Sequence, residues 1–503
     1  MSSISNKLIW AVAFWPLSLF AQESAEGEAP LSAIDWLNQI PAEEGIGASL
    51  PLLLESPTVE SAATPTVEAT PLGEDDGPGL GLLSAAASGL PNTLWRGADI
   101  AQMAQALEAL PDEALAPVAA LRTRMLLTAA RAPDGADPRD FLLFRAEALR
   151  TLGYGNEALA LLTVTEEFTP ALFASYADLA LITSTEDRAC ARLRAEPWLS
   201  EDAALGVFCL ARAGDWNAAA LALQASRVLG DVEADLATLL EQFLEPELAE
   251  GTPPQIGAAD ITPLVVRLRE AIGAPIATQD LPRIYAQGDL RTEMGWKAQL
   301  DAAERLARTG AIGANQLFGL YTANRPAASG GVWDRAAAVQ ALDAALSSGD
   351  DGEISQALPQ AFEAMVAARL APLLAEITAP RLDPLAELDG SAAKARDALL
   401  LLSDRYEEVG PSALPFLSAV ARGEVAPATP RGAMEAAIKE GFIAAPPAPA
   451  QGALGLTMLD ALAQIESARQ GDLSGLSQAL ANLRALGLES TARRAALHLL
   501  IAG

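Results

Sequence analysis

Three turns in the first half of this chain recur at almost the same distance. The stretches "GYGNEALALL", "STEDRACARL" and "GDWNAAALAL" place Asn156, Asp187 and Asn217 as landmarks, 31 and then 30 residues apart. Each landmark follows an apolar run ("FLLFRAEALRTL", "ALFASYADLALI", "AALGVFCLARA") and precedes an Ala/Leu run. The pattern predicts a helical hairpin repeated at a period slightly below the roughly 34 residues of a tetratricopeptide repeat (TPR). One hairpin cannot bury both of its apolar faces, so hairpins stack into a curved solenoid. An irregular helical bundle with coincidental spacing is the competing reading.

Composition supports an all-α chain. Hydrophobic residues make up 51% and aromatic residues only 5%. Ala is abundant, is the best helix former and lets helices approach closely. Runs of Val, Ile and Thr that would suggest strands are nearly absent. The expected fold is therefore all-α, with degenerate TPR-like helical-hairpin repeats forming a solenoid, preceded by a disordered N-terminal segment.

The chain opens "MSSISNKLIWAVAFWPLSLFAQESAEGEAP". Lys7 supplies a positive start, "LIWAVAFWPLSLF" an apolar core and Ala21 a small residue before a polar switch. That is the pattern of a secretory signal peptide over residues 1–21, with cleavage after Ala21. An uncleaved N-terminal anchor is the alternative. No Cys follows the apolar core, which argues against a lipid anchor. The formal net charge is −31. Such a field repels nucleic acid and anionic membrane surfaces. The expected location is periplasmic, with no stable membrane insertion after signal cleavage.

Residues 22–97 are Pro-, Thr- and Glu-rich and read as extended and disordered. Two apolar islands interrupt them. One is "LSAIDWLNQIP", with Leu31, Ile34, Trp36 and Leu37; the other is "GLGLLSAAASGLPNTLWRGAD", with Leu82, Leu83, Leu90, Leu94 and Trp95. The first is too short to hold a helix alone in water and reads as a tethered docking helix, in cis or in trans. A leftover apolar run is the alternative. From Asp99 onward the pattern is helical. Residues 98–245 read as a helical-repeat domain, 246–262 as a linker, 263–443 as a second helical domain, 444–452 as a Pro-rich linker and 453–503 as a C-terminal helical cap.

"FCLARAGDWNAAALAL", the long run "GWKAQLDAAERLARTGAIGANQLFGLYTANRPAASGGVWDRAAAVQALDAAL" and "SAIDWL" with "GLPNTLWRGAD" resemble an uncharacterised secreted family of alphaproteobacteria. Its members carry the label "antifreeze glycopeptide polyprotein-like". Antifreeze glycopeptides are tandem Ala-Ala-Thr repeats bearing sugar on Thr, and this chain has no such array. The label reads as an Ala-rich compositional match, so the resemblance implies a secreted location and nothing about ice.

No reaction signature is present. The single histidine, His498, excludes an HExxH zinc motif and reads as a helix-surface or helix-end residue. GxSxG, Walker A and GxGxxG motifs are missing. The acidic runs "EDDG" at 74–77 and "GDDGE" at 349–353 read as solvated turns. They lack the aromatic surroundings of a sugar-cleaving carboxylate pair and the spacing of an EF-hand. No cofactor and no metal site are expected, and the chain is expected not to be an enzyme.

Two other features carry expectations. Cys190 and Cys209 are the only cysteines, in a chain bound for an oxidising compartment. They sit on adjacent helices, at near-equal distances from the "EPWLS" connection. A disulfide is expected, worth ~3 kcal/mol on chain-entropy grounds, with two buried thiols as the alternative. The segment "LYTANRPAASGGVWDR" gathers Tyr321, Arg325, Trp333, Asp334 and Arg335 around a flexible core, just after Trp296, Lys297, Glu304 and Arg305. Trp with Arg is the composition of interaction hot spots, so Arg325, Trp333, Asp334 and Arg335, with Trp36, are candidate binding residues. An ordinary loop whose Trp333 packs inward is the alternative.

The expected function is a non-enzymatic periplasmic scaffold that binds an envelope protein or peptide. An accessory factor, or less favourably an enzyme, of cell-wall metabolism is the alternative.

Overall fold

The structure, a computed structural model, describes residues 79–247, 252–383, 387–388, 390–410, 414–445 and 453–502. The signal segment 1–21, the stretch 31–41 with Trp36, "EDDG" at 74–77 and most of the Pro-rich linker 444–452 lie outside them. The described residues form 23 α-helices and no extended strand; two isolated β-bridges join Leu80 to Ala130 and Leu83 to Thr128.

The three landmarks fall at equivalent places. Asn156, Asp187 and Asn217 are each the second residue of a helix, in Gly155–Leu162, Glu186–Ala195 and Trp216–Leu229. Their partners are Pro138–Leu152, Pro170–Ile182 and Ala203–Arg212, and successive helices pack against one another. The turn inside each hairpin has one design. Gly153, Ser184 and Gly214 adopt left-handed backbone. The next residue then donates back into the helix: Tyr154 to the carbonyl of Leu149, Thr185 to Ala180 and Asp215 to Leu210. This stops the helix by satisfying an orphan carbonyl. Gly310, Arg369, Gly471 and Gly487 make the same stop later in the chain.

The chain then folds back on itself. Pro263–Ala271 packs against Pro170–Ile182, and Arg267 donates to the buried carboxylate of Glu186 at 2.7 Å. Thr309 Oγ1 donates to the carbonyl of Leu152 at 2.7 Å, and Tyr154 Oη to that of Thr309 at 2.9 Å. At the end, Leu454–Arg469 packs on Ile100–Glu108, and Glu489–Ala502 on Ala116–Leu127. Leu115 N donates to Glu466 Oε1 at 2.6 Å across this junction. One hydrophobic core runs from Leu90 to Leu499.

One correction concerns residues 79–97, expected to belong to the disordered segment. They are folded. Leu82 N and Leu83 N both donate to the carbonyl of Leu127, and Ala129 N donates to that of Leu83. Gly79 and Gly81 make this possible: a Cβ on either would fall within 2.5 Å of the backbone of Ala129 or Ala130. Beneath them lies Arg145, fully buried with no carboxylate partner among the described residues. Its guanidinium donates to the carbonyls of Thr128 at 2.9 Å and Leu80 at 2.7 Å and sits 4.3 Å from the Phe141 ring. Leu94 and Trp95 are wholly buried.

His498 is also corrected. It is 1% exposed, beside the backbone of Leu402, so it is a core residue rather than a helix-surface one. The "GDDGE" run is a helix start: Asp350 caps Asp351–Ala367 by accepting from Glu353 N at 2.9 Å.

Candidate functional site

Cys190 and Cys209 form a disulfide with their Cα atoms 5.0 Å apart, joining Glu186–Ala195 to Ala203–Arg212. Both are buried. The bridge is structural and offers no accessible thiol.

The segment 320–335 does not gather its polar residues into one surface. Arg325 is exposed. Trp333 packs on Trp296 with ring centroids 5.0 Å apart, and Trp296 Nε1 donates to the carbonyl of Leu320 at 2.8 Å. Asp334 accepts from Gly330 N at 2.9 Å and closes the turn before Val332–Ser348. Arg335 reaches inward. Its Nε and Nη2 donate to the two oxygens of Glu304 at 2.6 and 2.5 Å. Tyr321 Oη donates to the same carboxylate at 2.8 Å, and Arg308 Nη2 at 3.1 Å. Glu304 is thus a buried carboxylate with every oxygen engaged, which is how a buried charge is tolerated. Burial, and then the charge of Glu304, push the Tyr321 hydroxyl well above its ordinary value, so it remains a donor.

Arg335 opens onto a cleft of about 640 Å³ between residues 275–279 and the helix Trp296–Ala307. Ile276, Ala277, Met294, Ala298 and Ala302 give it apolar walls. Thr278, Asp289, Arg305 and Arg308 supply polar groups. Thr278 Oγ1 donates to Asp289 Oδ2, and burial raises the Asp289 carboxyl above the usual range. Arg305 Nη1 donates to the carbonyl of Thr278 at 2.8 Å and Nη2 to that of Leu281. Burial, followed by repulsion from Arg283, lowers the Arg305 guanidinium. A second cleft of about 350 Å³, lined by Arg150, Arg283 and Arg305, shares this residue.

A different surface escaped the sequence reading. The helix Trp216–Leu229 buries Ala219, Leu223 and Ser226. On its other side Leu221 is 69% exposed, Val228 88% and Leu229 73%, and Trp216 at its start is 49% exposed. Leu221, Ala225 and Val228 follow the spacing of one helix face. The sister helices turn polar groups outward instead: Asn156 on one, Asp187, Arg188 and Arg194 on the other. Its Ala/Leu-rich sequence looks like a core helix, and only the placement of its neighbours reveals the free face.

Fold and surfaces together define an all-helical chain built on packed hairpins, with an arginine-lined cleft and one apolar helix face open to solvent. Comparison with protein-family models, curated proteins and solved structures found no match.

Proposed function

We propose that this chain is a secreted, non-enzymatic scaffold of the cell envelope. Its TPR-like hairpin stack would present the helix Trp216–Leu229 to an amphipathic helix of a protein partner. The exposed stripe of Leu221, Val228 and Leu229 carries the reading. Contiguous apolar surface rimmed by polar residues marks interaction sites. A straight helical stripe is matched by another helix laid along it. The two sister helices, at equivalent places in their hairpins, expose no large apolar side chain, which sets this one apart. The net charge of −31 favours a partner helix with basic flanks. The signal-like residues 1–21 and the resemblance to a secreted family support the periplasmic location.

The test is site-specific photocrosslinking in intact envelopes, with the photoreactive residue at Val228 and, as a control, at exposed Arg431. The expected result is a discrete protein adduct from position 228 alone, lost in a Leu221→Glu/Leu229→Glu variant. An adduct that survives the double variant, or an adduct only with a second copy of this chain, overturns the reading.

A further inference from the structure

We propose that the cleft beside Arg305 binds a small ligand through a carboxylate, with Arg305 as the anchoring cation. This is independent of the docking face on Trp216–Leu229. A cleft of about 640 Å³ is the size of a small-molecule site, and apolar walls with a few convergent polar groups are the usual make-up of one.

The lining carries three arginines, Arg305, Arg308 and Arg335, and three acids, Asp289, Asp301 and Glu304, but their pairing is uneven. Glu304 is shared between two guanidiniums, Arg308 and Arg335, so that trio carries an excess positive charge. Asp301 is matched by Lys297 at 2.5 Å. Arg305 stands apart. Its head group is held by the neutral carbonyls of Thr278 and Leu281 and makes no direct ion pair among the described residues, the charges of Asp289, Asp280 and Glu113 acting on it only from a distance. The remaining acid, Asp289, accepts from the Thr278 hydroxyl, and burial raises its carboxyl, which favours the neutral form. A partly buried cation held only by neutral acceptors is what an incoming anion stabilises, and the planar guanidinium fits a carboxylate best.

The fixed geometry adds to the argument. The two carbonyl bonds hold the Arg305 fork in place, and the Glu304 pairs hold Arg308 and Arg335 beside it. Such prior ordering lowers the entropic cost of binding. Alanine walls at 277, 298 and 302 leave room for a ligand with small side groups.

The test is calorimetric titration of the full mature chain with the tripeptide Ala-Ala-Ala as the free acid, the same tripeptide as its C-terminal amide, and glutarate. The free acid should bind at least about tenfold more tightly than the amide, because only the acid makes charge-assisted bonds. Arg305→Gln should abolish that preference. Arg305→Lys should keep part of it, since the charge remains and the fork is lost. The acid–amide comparison on the unaltered chain needs no variant to fold. Binding of the tripeptide acid assigns the site to peptide ends, and binding of glutarate alone assigns it to free carboxylates. Equal binding of acid and amide, binding of none of the three probes, or a preference that survives Arg305→Gln overturns the proposal.

Discussion

The ring of Trp95 lies directly against the backbone of Gly455, and Gly455 N donates to the carbonyl of Leu94 at 2.9 Å. The segment before Ile100–Glu108 and a helix near the C-terminus meet here with no space for a side chain. A Cβ on Gly455 would come within 2.5 Å of the Trp95 ring carbons. Gly455→Ala is therefore expected to lower stability by about 1–3 kcal/mol through overpacking. Gly206 is the control, a helical glycine with nothing within 4 Å of its Cβ position. Gly206→Ala should raise stability by about 0.5–1 kcal/mol. Urea midpoints of the two variants should move in opposite directions.

The hairpin turns give a second pair. Ser184 holds the left-handed position that Gly153 and Gly214 hold in the flanking hairpins. Ser184→Gly should gain about 1 kcal/mol by removing the Cβ clash of that conformation. Gly153→Ala should lose at least as much, because its Cβ would also lie 2.7 Å from Leu306 Cδ2. Thermal melts that rank the two the other way would refute this account of the turn.

Arg145 ties residue 80 to residue 128 by donating to the Leu80 and Thr128 carbonyls. Burial lowers its guanidinium to about 9, still protonated at neutral pH. Arg145→Met leaves those carbonyls without their donor and should cost about 3 kcal/mol or more. The more specific sign is local. Trypsin should cut after exposed Arg96 sooner in the variant than in the parent chain.

The disulfide closes a separation of 19 residues. Replacing both Cys190 and Cys209 with Ala should cost ~3 kcal/mol. Denatured, unreduced protein should show no thiol by Ellman titration; two thiols would rule the bridge out.

His498 links stability to pH. Burial, then the charge of Arg494, hold its imidazole at about 3, against about 6.5 in an unfolded chain. Between those values the unfolded state binds the proton and the folded state does not. Stability from this group is complete above about pH 6.5 and falls as pH drops toward 3, by roughly 4 kcal/mol over the window. Asp178, raised to about 6 by burial, acts in the opposite sense: it costs stability as pH rises from 3.8 toward 6. Its side chain is 41% exposed, so its contribution is the smaller one. His498→Leu should flatten the fall in stability between pH 6 and 4, measured by urea titration at each pH.

Much of the local structure was legible because it depends on near neighbours. Helix starts at Gly155, Glu186 and Trp216 follow from turn chemistry, and the pairing of Cys190 with Cys209 from their even distance to one connection. The loop 320–335 left two readings open. Trp and Arg compose an interaction surface or a buried clamp equally well, and it is Glu304 that draws Arg335 inward. Residues 79–97 read as an apolar island in a disordered segment because they follow Pro-, Thr- and Glu-rich sequence. Gly79 and Gly81 instead permit contact with residues 128–130, a partner that local pattern does not name.

By itself, the sequence determined the helical class, the hairpin period, the acidic charge and the cysteine pair, since these depend on composition and short-range spacing. Tertiary structure alone decided that the last helices pack on residues 100–127, that Arg305 borders a cleft without a direct ion pair among the described residues, and that Leu221 and Val228 face outward while Leu223 is buried. An Ala/Leu helix is apolar on nearly every side, so which side meets solvent is settled only by the helices that arrive against it.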